Sequence, residues 1–149
     1  MSLHDLCGSE KRPSAPYSYI KNDGALVLFA IDRPESFERV GEYLVILKAL
    51  QIPILLVGTK SDLRSPGIMK NYERVVSFDE AEAFAKGHGL EYIETSAKDG
   101  TNVTKAFEII ARGITKAKDA KKEEREKNQA KVAKSNKSHK SPESSCSIF

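Results

Sequence analysis

Three apolar runs, each closed by small or polar residues, organise this chain. They are Gly24-Ala25-Leu26-Val27-Leu28-Phe29-Ala30-Ile31-Asp32, Ile52-Pro53-Ile54-Leu55-Leu56-Val57 and Leu90-Glu91-Tyr92-Ile93. Their length and branched side chains predict strands, the first two buried on both faces as in a parallel sheet. Helical spacing fills the intervals. Ser36 is placed to cap a helix reaching about Leu50, with Phe37, Val40, Tyr43, Leu44 and Leu47 on its core face. Ser77-Phe78-Asp79-Glu80 has the form of a capping box. It opens a helix that carries Ala81, Phe84 and Ala85 and stops near Gly89. Asp99-Gly100-Thr101-Asn102 predicts a turn, and a last helix starts near Asn102 with Val103, Ala106, Phe107, Ile110 and Ile114 facing inward. The Phe and Ile stripes read as core throughout. Lys11–Asn22 and Leu63–Val76, rich in turn-forming residues, read as loops. Strand and helix alternate from Gly24 onward, which predicts an α/β fold on a parallel sheet.

Where strands of such a sheet end at their carboxyl edge, ligands bind. Two loops there carry candidate chemistry. Gly58-Thr59-Lys60-Ser61-Asp62 sets a carboxylate beside a lysine, and Glu94-Thr95-Ser96-Ala97-Lys98 follows the next strand. Such a pair can clamp a planar ring. An aspartate accepts two hydrogen bonds from adjacent ring N–H and amino donors, a pattern guanine offers and adenine does not.

Composition narrows the partners. The chain has 149 residues, 40% of them hydrophobic, and a formal net charge of +3. It suits one domain with a tail. Residues 118–145 carry a net +4 and the remainder a net −1, so the basicity belongs to the tail. No stacking aromatics accompany that charge, which argues against nucleic acid as a partner. No apolar run approaches the ~18 residues of a membrane span. The two cysteines, Cys7 and Cys146, lie at opposite ends and define neither a disulfide framework nor a metal site. His4, His88 and His139 are scattered, without the neighbours that would make any of them a ligand or a base.

On its two loops the chain resembles a small GTPase of the Ras superfamily, nearest the Ras/Rap branch in its later half. The family's Asn-Lys-x-Asp signature stands here as Thr59-Lys60-Ser61-Asp62, and its Ser-Ala-Lys signature as Ser96-Ala97-Lys98. The resemblance covers about Leu3 to Ala117 and the last four residues. It implies that Lys60 and Asp62, with Leu63 beside them, read guanine. Ala97 would offer its backbone N–H to the ring oxygen, Ser96 would brace the loop and Lys98 would cover the other face of the ring. Thr59, in place of asparagine, implies weaker bracing.

Leu3-His4-Asp5-Leu6-Cys7-Gly8-Ser9-Glu10 resembles the family segment that senses the γ-phosphate. Asp5 matches the residue that reaches Mg²⁺ through water, and Gly8 the one whose N–H meets the γ-phosphate. Ser9 stands where the family carries its catalytic glutamine and is too short to position water, so no residue is assigned as catalytic. The chain has no G-x-x-x-x-G-K-[ST] loop to cradle phosphates. The implied fold is the P-loop-NTPase-type doubly wound, mostly parallel sheet, incomplete, with the first two strands and first helix missing. The implied cofactors are GTP or GDP with Mg²⁺, weakly held.

The last four residues, Cys146-Ser147-Ile148-Phe149, form a C-a-a-X sequence, and terminal Phe favours a geranylgeranyl group on Cys146. One lipid attaches reversibly and needs a second signal. Lys127, Lys131, Lys134, Lys137 and Lys140 supply it toward an anionic inner leaflet. The expected organisation is a truncated GTPase-like domain over 1–117, a polybasic flexible tail over 118–145, helical at first and fraying past Lys127, and the lipidation motif at 146–149. The expected function is a guanine-nucleotide switch in signalling at the cytoplasmic face of the plasma membrane or an endomembrane. Its effectors and exchange factors are not identified by sequence. Two alternatives are a non-enzymatic prenylated interaction module and a piece of a complete, active GTPase.

Overall fold

In the computed structural model, residues 22–65, 67–68 and 75–137 are described; Asp5, Gly8, Ser9 and Cys146 lie outside them. The chain divides into two units, Met1–Ile114 and Thr115–Phe149.

The first unit holds a three-stranded parallel sheet among the described residues, in the order β1 (Ala25–Ala30), β2 (Ile54–Thr59), β3 (Glu91–Thr95). Ala30 is in register with Thr59, and Thr59 with Thr95, so all three strands end at one edge. The fold is α/β, a partial form of the doubly wound sheet. One face packs Val27, Phe29 and Leu56 against Phe37, Val40, Leu44, Leu47, Ala81 and Ala85 of the helices. The other packs Leu55, Val57 and Ile93 against Ala106 and Ile110. Among the described residues β1 has a neighbour on one side only, and Leu28 is 58% exposed there.

Several boundaries differ from the sequence reading, each for a local reason. Helix α1 begins at Pro34, whose fixed φ suits the first turn, and not at a cap on Ser36. The Ser36 hydroxyl instead accepts from Ala30 N–H and donates to the Arg33 carbonyl, turning the chain out of β1. The single helix expected as far as Leu50 is two, α1 (Pro34–Glu38) and α2 (Val40–Ala49), meeting at Arg39. Strands β2 and β3 run on through Thr59 and Thr95, because parallel pairing continues past Gly58 and Glu94. The expected loop after Asp62 opens as a 3₁₀ turn over Ser61–Arg64.

Helix α3 (Phe78–His88) is capped by Ser77, whose hydroxyl accepts from Glu80 N–H, and ends on Gly89 at φ 69°, where a side chain would be strained. Phe78 and Phe107 are not core: they are 44% and 36% exposed, and Ile109 packs where Phe107 was expected. His88 has two neighbours, its ring centroid 4.4 Å from that of Phe84 and its Nδ1 3.2 Å from Lys48 Nζ.

Helix α4 (Val103–Lys137) begins in the first unit and ends in the second. It runs past Lys127, where fraying was expected. Alanine, lysine and glutamate are strong helix formers, and pairs such as Glu123–Lys127, 3.5 Å apart, add (i, i+4) support. Among the described residues no helix is long and apolar enough to cross a membrane.

Candidate functional site

The shared strand edge brings three chain segments together. From β1 comes Asp32, from β2 Thr59 to Arg64, and from β3 Ser96 to Lys98. Lys60 takes the left-handed conformation (φ 67°, ψ 39°), which costs a non-glycine residue ~1–2 kcal/mol. Its ammonium donates to Asp32 Oδ2 at 2.7 Å, and its carbonyl accepts from Leu63 N–H at 3.0 Å. These contacts hold the strained residue in place and turn the chain so that Asp62 follows at once.

Asp62 is tied to the second loop. Ser96, fully buried, donates its hydroxyl to Asp62 Oδ1 at 2.7 Å, and its Oγ accepts from Lys98 N–H at 3.1 Å. Ser96 N–H in turn donates to the Thr101 carbonyl at 3.0 Å. Lys98 is exposed, with its ammonium 3.9 Å from Asp62 Oδ2. Ala97 is exposed, and its N–H has no partner among the described residues. Thr59 braces the first strand, its hydroxyl donating to the Phe29 carbonyl at 3.0 Å. Leu63 is partly buried against the core.

Beneath these loops lies a polar network that sequence reasoning left unassigned. Arg64 forks onto Glu94, with Nε 2.6 Å from Oε2 and Nη2 2.5 Å from Oε1, and Nη2 also reaches the Val76 carbonyl at 2.8 Å. Tyr92 donates its hydroxyl to Glu94 Oε1 at 2.7 Å. The Glu94 bond raises Arg64 above its ordinary value, against the opposing effect of burial. Asn102, itself left-handed at φ 56°, donates to the Glu94 carbonyl at 2.9 Å. Asp99 lies below the usual carboxylate range because Thr101 donates to it.

Asp32 was also missed as a site residue. The available signal was its place as the charged residue closing an apolar run at the same edge as Lys60. Its Oδ1 is buried without a hydrogen-bond partner among the described residues. No spacing signal links Arg64 to Glu94, because the pair is thirty residues apart and forms only when β2 and β3 align.

Tyr92 yields a pH prediction. Burial first, and then its bond to the Glu94 carboxylate, push the phenol well above its ordinary value near ~10. An acid raised in the folded state contributes stability at ordinary pH that is lost as pH rises past the unfolded phenol's value. In an ultraviolet titration, one of the five tyrosines should ionise only as the chain unfolds, and Tyr92→Phe should remove that lagging component. A Tyr92 phenol that titrates with exposed tyrosine would contradict the network.

The arrangement can offer hydrogen-bond acceptors and a donor to a flat, donor-bearing ring. A carboxylate offers about four lone-pair positions. Ser96 takes one at Asp62, and Lys98 approaches loosely, which leaves acceptor capacity beside the Ala97 N–H, itself without a partner among the described residues. The base half of a guanine nucleotide fits these residues. For Mg²⁺, Asp5 lies outside the described residues, and no cluster of three or more His, Cys, Asp or Glu suited to a metal occurs among those described. A separate cavity of about 360 Å³ opens at the amino ends of β2 and β3, between Pro53, Leu90, Ile109 and Gly113. It is remote from these loops.

A family model described as the Ras family matches residues 1–116. "Ras-related protein Rab-39A" of Mus musculus is 40% identical over 119 residues, covering 76% of this chain and 52% of that protein. "Ras-related protein RABA5d" of Arabidopsis thaliana is 39% identical over 116 residues, 75% of this chain and 50% of that protein. "Ras-related protein rab-39" of Caenorhabditis elegans is 38% identical over 128 residues, 80% and 52% respectively. These relatives carry Rab names, whereas the sequence reading leaned toward the Ras/Rap branch. The chain spans about half the length of the curated relatives it matches.

Proposed function

This chain belongs to the Ras family of small GTPases, and from that premise we propose that it carries the base-reading half of a guanine-nucleotide switch. One observation carries the reading: Asp62 is held by the buried Ser96 hydroxyl at 2.7 Å, next to an Ala97 N–H without a partner among the described residues. Asp62 accepts from the ring N–H and 2-amino group, Ala97 donates to the ring oxygen, and the stems of Lys60 and Lys98 flank the faces.

Magnitudes limit the affinity. Hydrogen bonds to a charged acceptor contribute ~1.5–3 kcal/mol each. Association costs ~4–15 kcal/mol in lost freedom. Base contacts alone therefore give about millimolar binding at best. The phosphate end would be gripped by a G-x-x-x-x-G-K-[ST] loop, which this sequence does not contain. Asp5 and Gly8 would meet Mg²⁺ and the γ-phosphate, and Ser9 cannot orient water as a glutamine does, so hydrolysis is slow.

A geranylgeranyl group on Cys146, with the lysines from Lys127 to Lys140, would tether the chain to the cytoplasmic face of an anionic membrane. There it would act in signalling. Ser9, at the position of the family's catalytic glutamine, favours one second reading, a prenylated interaction module that no longer cycles nucleotide.

The test titrates a fluorescent GDP analogue and its adenine counterpart into the full chain and its Asp62→Ala variant. Weak, guanine-selective binding that Asp62→Ala reduces tenfold or more supports the reading, that loss being about one charge-assisted hydrogen bond. Equal binding of the two bases, or no change in the variant, rejects it. Submicromolar binding would overturn the affinity argument.

A further inference from the structure

Arg64 stands two residues beyond Asp62, at the end of the same 3₁₀ turn. It contacts two other segments at once. Its guanidinium forks onto Glu94 of β3, and one of its nitrogens also donates to the Val76 carbonyl, just ahead of the Ser77 cap of α3. Val76 N–H donates to the Ile31 carbonyl at 2.9 Å, one residue before Asp32. Glu94 is only 8% exposed and lies two residues before Ser96, the residue that holds Asp62. The turn is thus pinned at both ends, by Lys60 on Asp32 and by Arg64 on Glu94, with Asp62 between the pins.

We infer that Arg64 is a positioning residue for guanine recognition: its two-point grip on Glu94 and Val76 fixes the orientation of the Asp62 carboxylate. The inference rests on the guanine reading above. Glu94 is the floor of the arrangement. Its two carboxylate oxygens accept from Arg64 and Tyr92, and Asn102 secures its carbonyl. A planar fork matches a carboxylate at two points, and a lysine does not. The charge is therefore replaceable at position 64 and the geometry is not. Without the fork, the turn remains tethered through Lys60 and Ser96, and Asp62 swings between orientations that accept one or two ring donors.

Two readouts on the full chain separate this role from plain stabilisation. The first is amide hydrogen exchange, comparing Leu63, Ser65 and Lys98 with Ala25 and Leu50, whose hydrogen bonds lie in other parts of the first unit. Arg64→Lys should speed exchange at the first three by about tenfold while leaving the last two unchanged. The second is the affinity ratio of GDP to inosine diphosphate, which lacks the 2-amino donor. The parent should favour GDP about tenfold, the difference one charge-assisted bond makes. Arg64→Lys should bring the ratio close to one with little change in inosine diphosphate affinity.

Arg64→Met/Glu94→Gln removes both charges together and avoids leaving one buried and unpaired, so it guards against simple unfolding of a single variant. It should reproduce both effects. Exchange that accelerates everywhere alike, or a nucleotide ratio that Arg64→Lys leaves at the parent's value, overturns the inference. Asp62→Ala is the reference. If it keeps the full preference for GDP, the guanine reading fails, while loop exchange alone still decides whether Arg64 holds the turn.

Discussion

Gly58→Ala should destabilise the fold by ~1–3 kcal/mol or more, the range for overpacking a well-filled interior. Gly58 lies inside β2, and a methyl built there meets the Tyr92 hydroxyl at 2.6 Å, with Ile31 and Phe29 both at 3.3 Å. The hydroxyl cannot step aside freely, because it donates to Glu94 at 2.7 Å and Glu94 carries Arg64. The ring is stacked on Phe29, centroids 6.1 Å apart. The clash therefore passes directly into the network beneath the loops. The double variant Gly58→Ala/Tyr92→Phe removes the clashing oxygen and should be less destabilised than the two single changes added together. Denaturant titration of all four proteins gives the cycle. Strict additivity would show that Tyr92 is not what excludes a side chain at position 58.

Ser96→Ala should also cost ~1–3 kcal/mol, because it removes two hydrogen bonds made by a buried hydroxyl, ~0.5–1.5 kcal/mol for a neutral one and ~1.5–3 for one to a charged group. The Ser96 oxygen donates to Asp62 and accepts from Lys98 N–H, so its loss leaves both without their partner. The larger consequence is for recognition. Asp62 loses the bond that orients it, and guanine selectivity should fall about as far as in Asp62→Ala. Calorimetric unfolding together with nucleotide titration checks both effects. A variant of parental stability would mean that the two loops are held together elsewhere.

Much of this architecture was legible because it rests on local patterns. Branched apolar runs predict β1 and β2, although β1 is not buried on both faces, Leu28 being 58% exposed, and the Ser77 cap with Gly89 at the far end predicts α3. What escaped depends on neighbours distant in sequence. Thr59 reads as loop because Gly58 looks like a strand end, and Glu94 and Thr95 read as loop because they are polar residues following Ile93. Instead, the glycine is there because Tyr92 from the adjacent strand crosses over it. Ser36 looks like a helix cap, yet Pro34 fixes the start two residues earlier and Ser36 bonds backward. Phe107 shares the helical spacing of Ala106 and Ile110 but falls on the exposed side of the stripe, where Ile109 competes better for the sheet.

The site divides the same way. Its two signatures, Thr59-Lys60-Ser61-Asp62 and Ser96-Ala97-Lys98, are contiguous and were readable as motifs. The supports beneath them, Asp32 under Lys60 and Glu94 under Arg64, belong to other strands and exist only once the parallel register is set. A sequence announces groups that face a ligand more readily than groups that hold those groups still.

The most direct measurement is a residue-resolved magnetic resonance titration of the full chain with GDP. The account predicts amide shifts concentrated at Lys60, Asp62, Ala97 and Lys98, saturating together at about millimolar ligand. Shifts centred instead on the cavity between Pro53, Leu90 and Gly113, or a GDP response matched by ADP at the same residues, would contradict it.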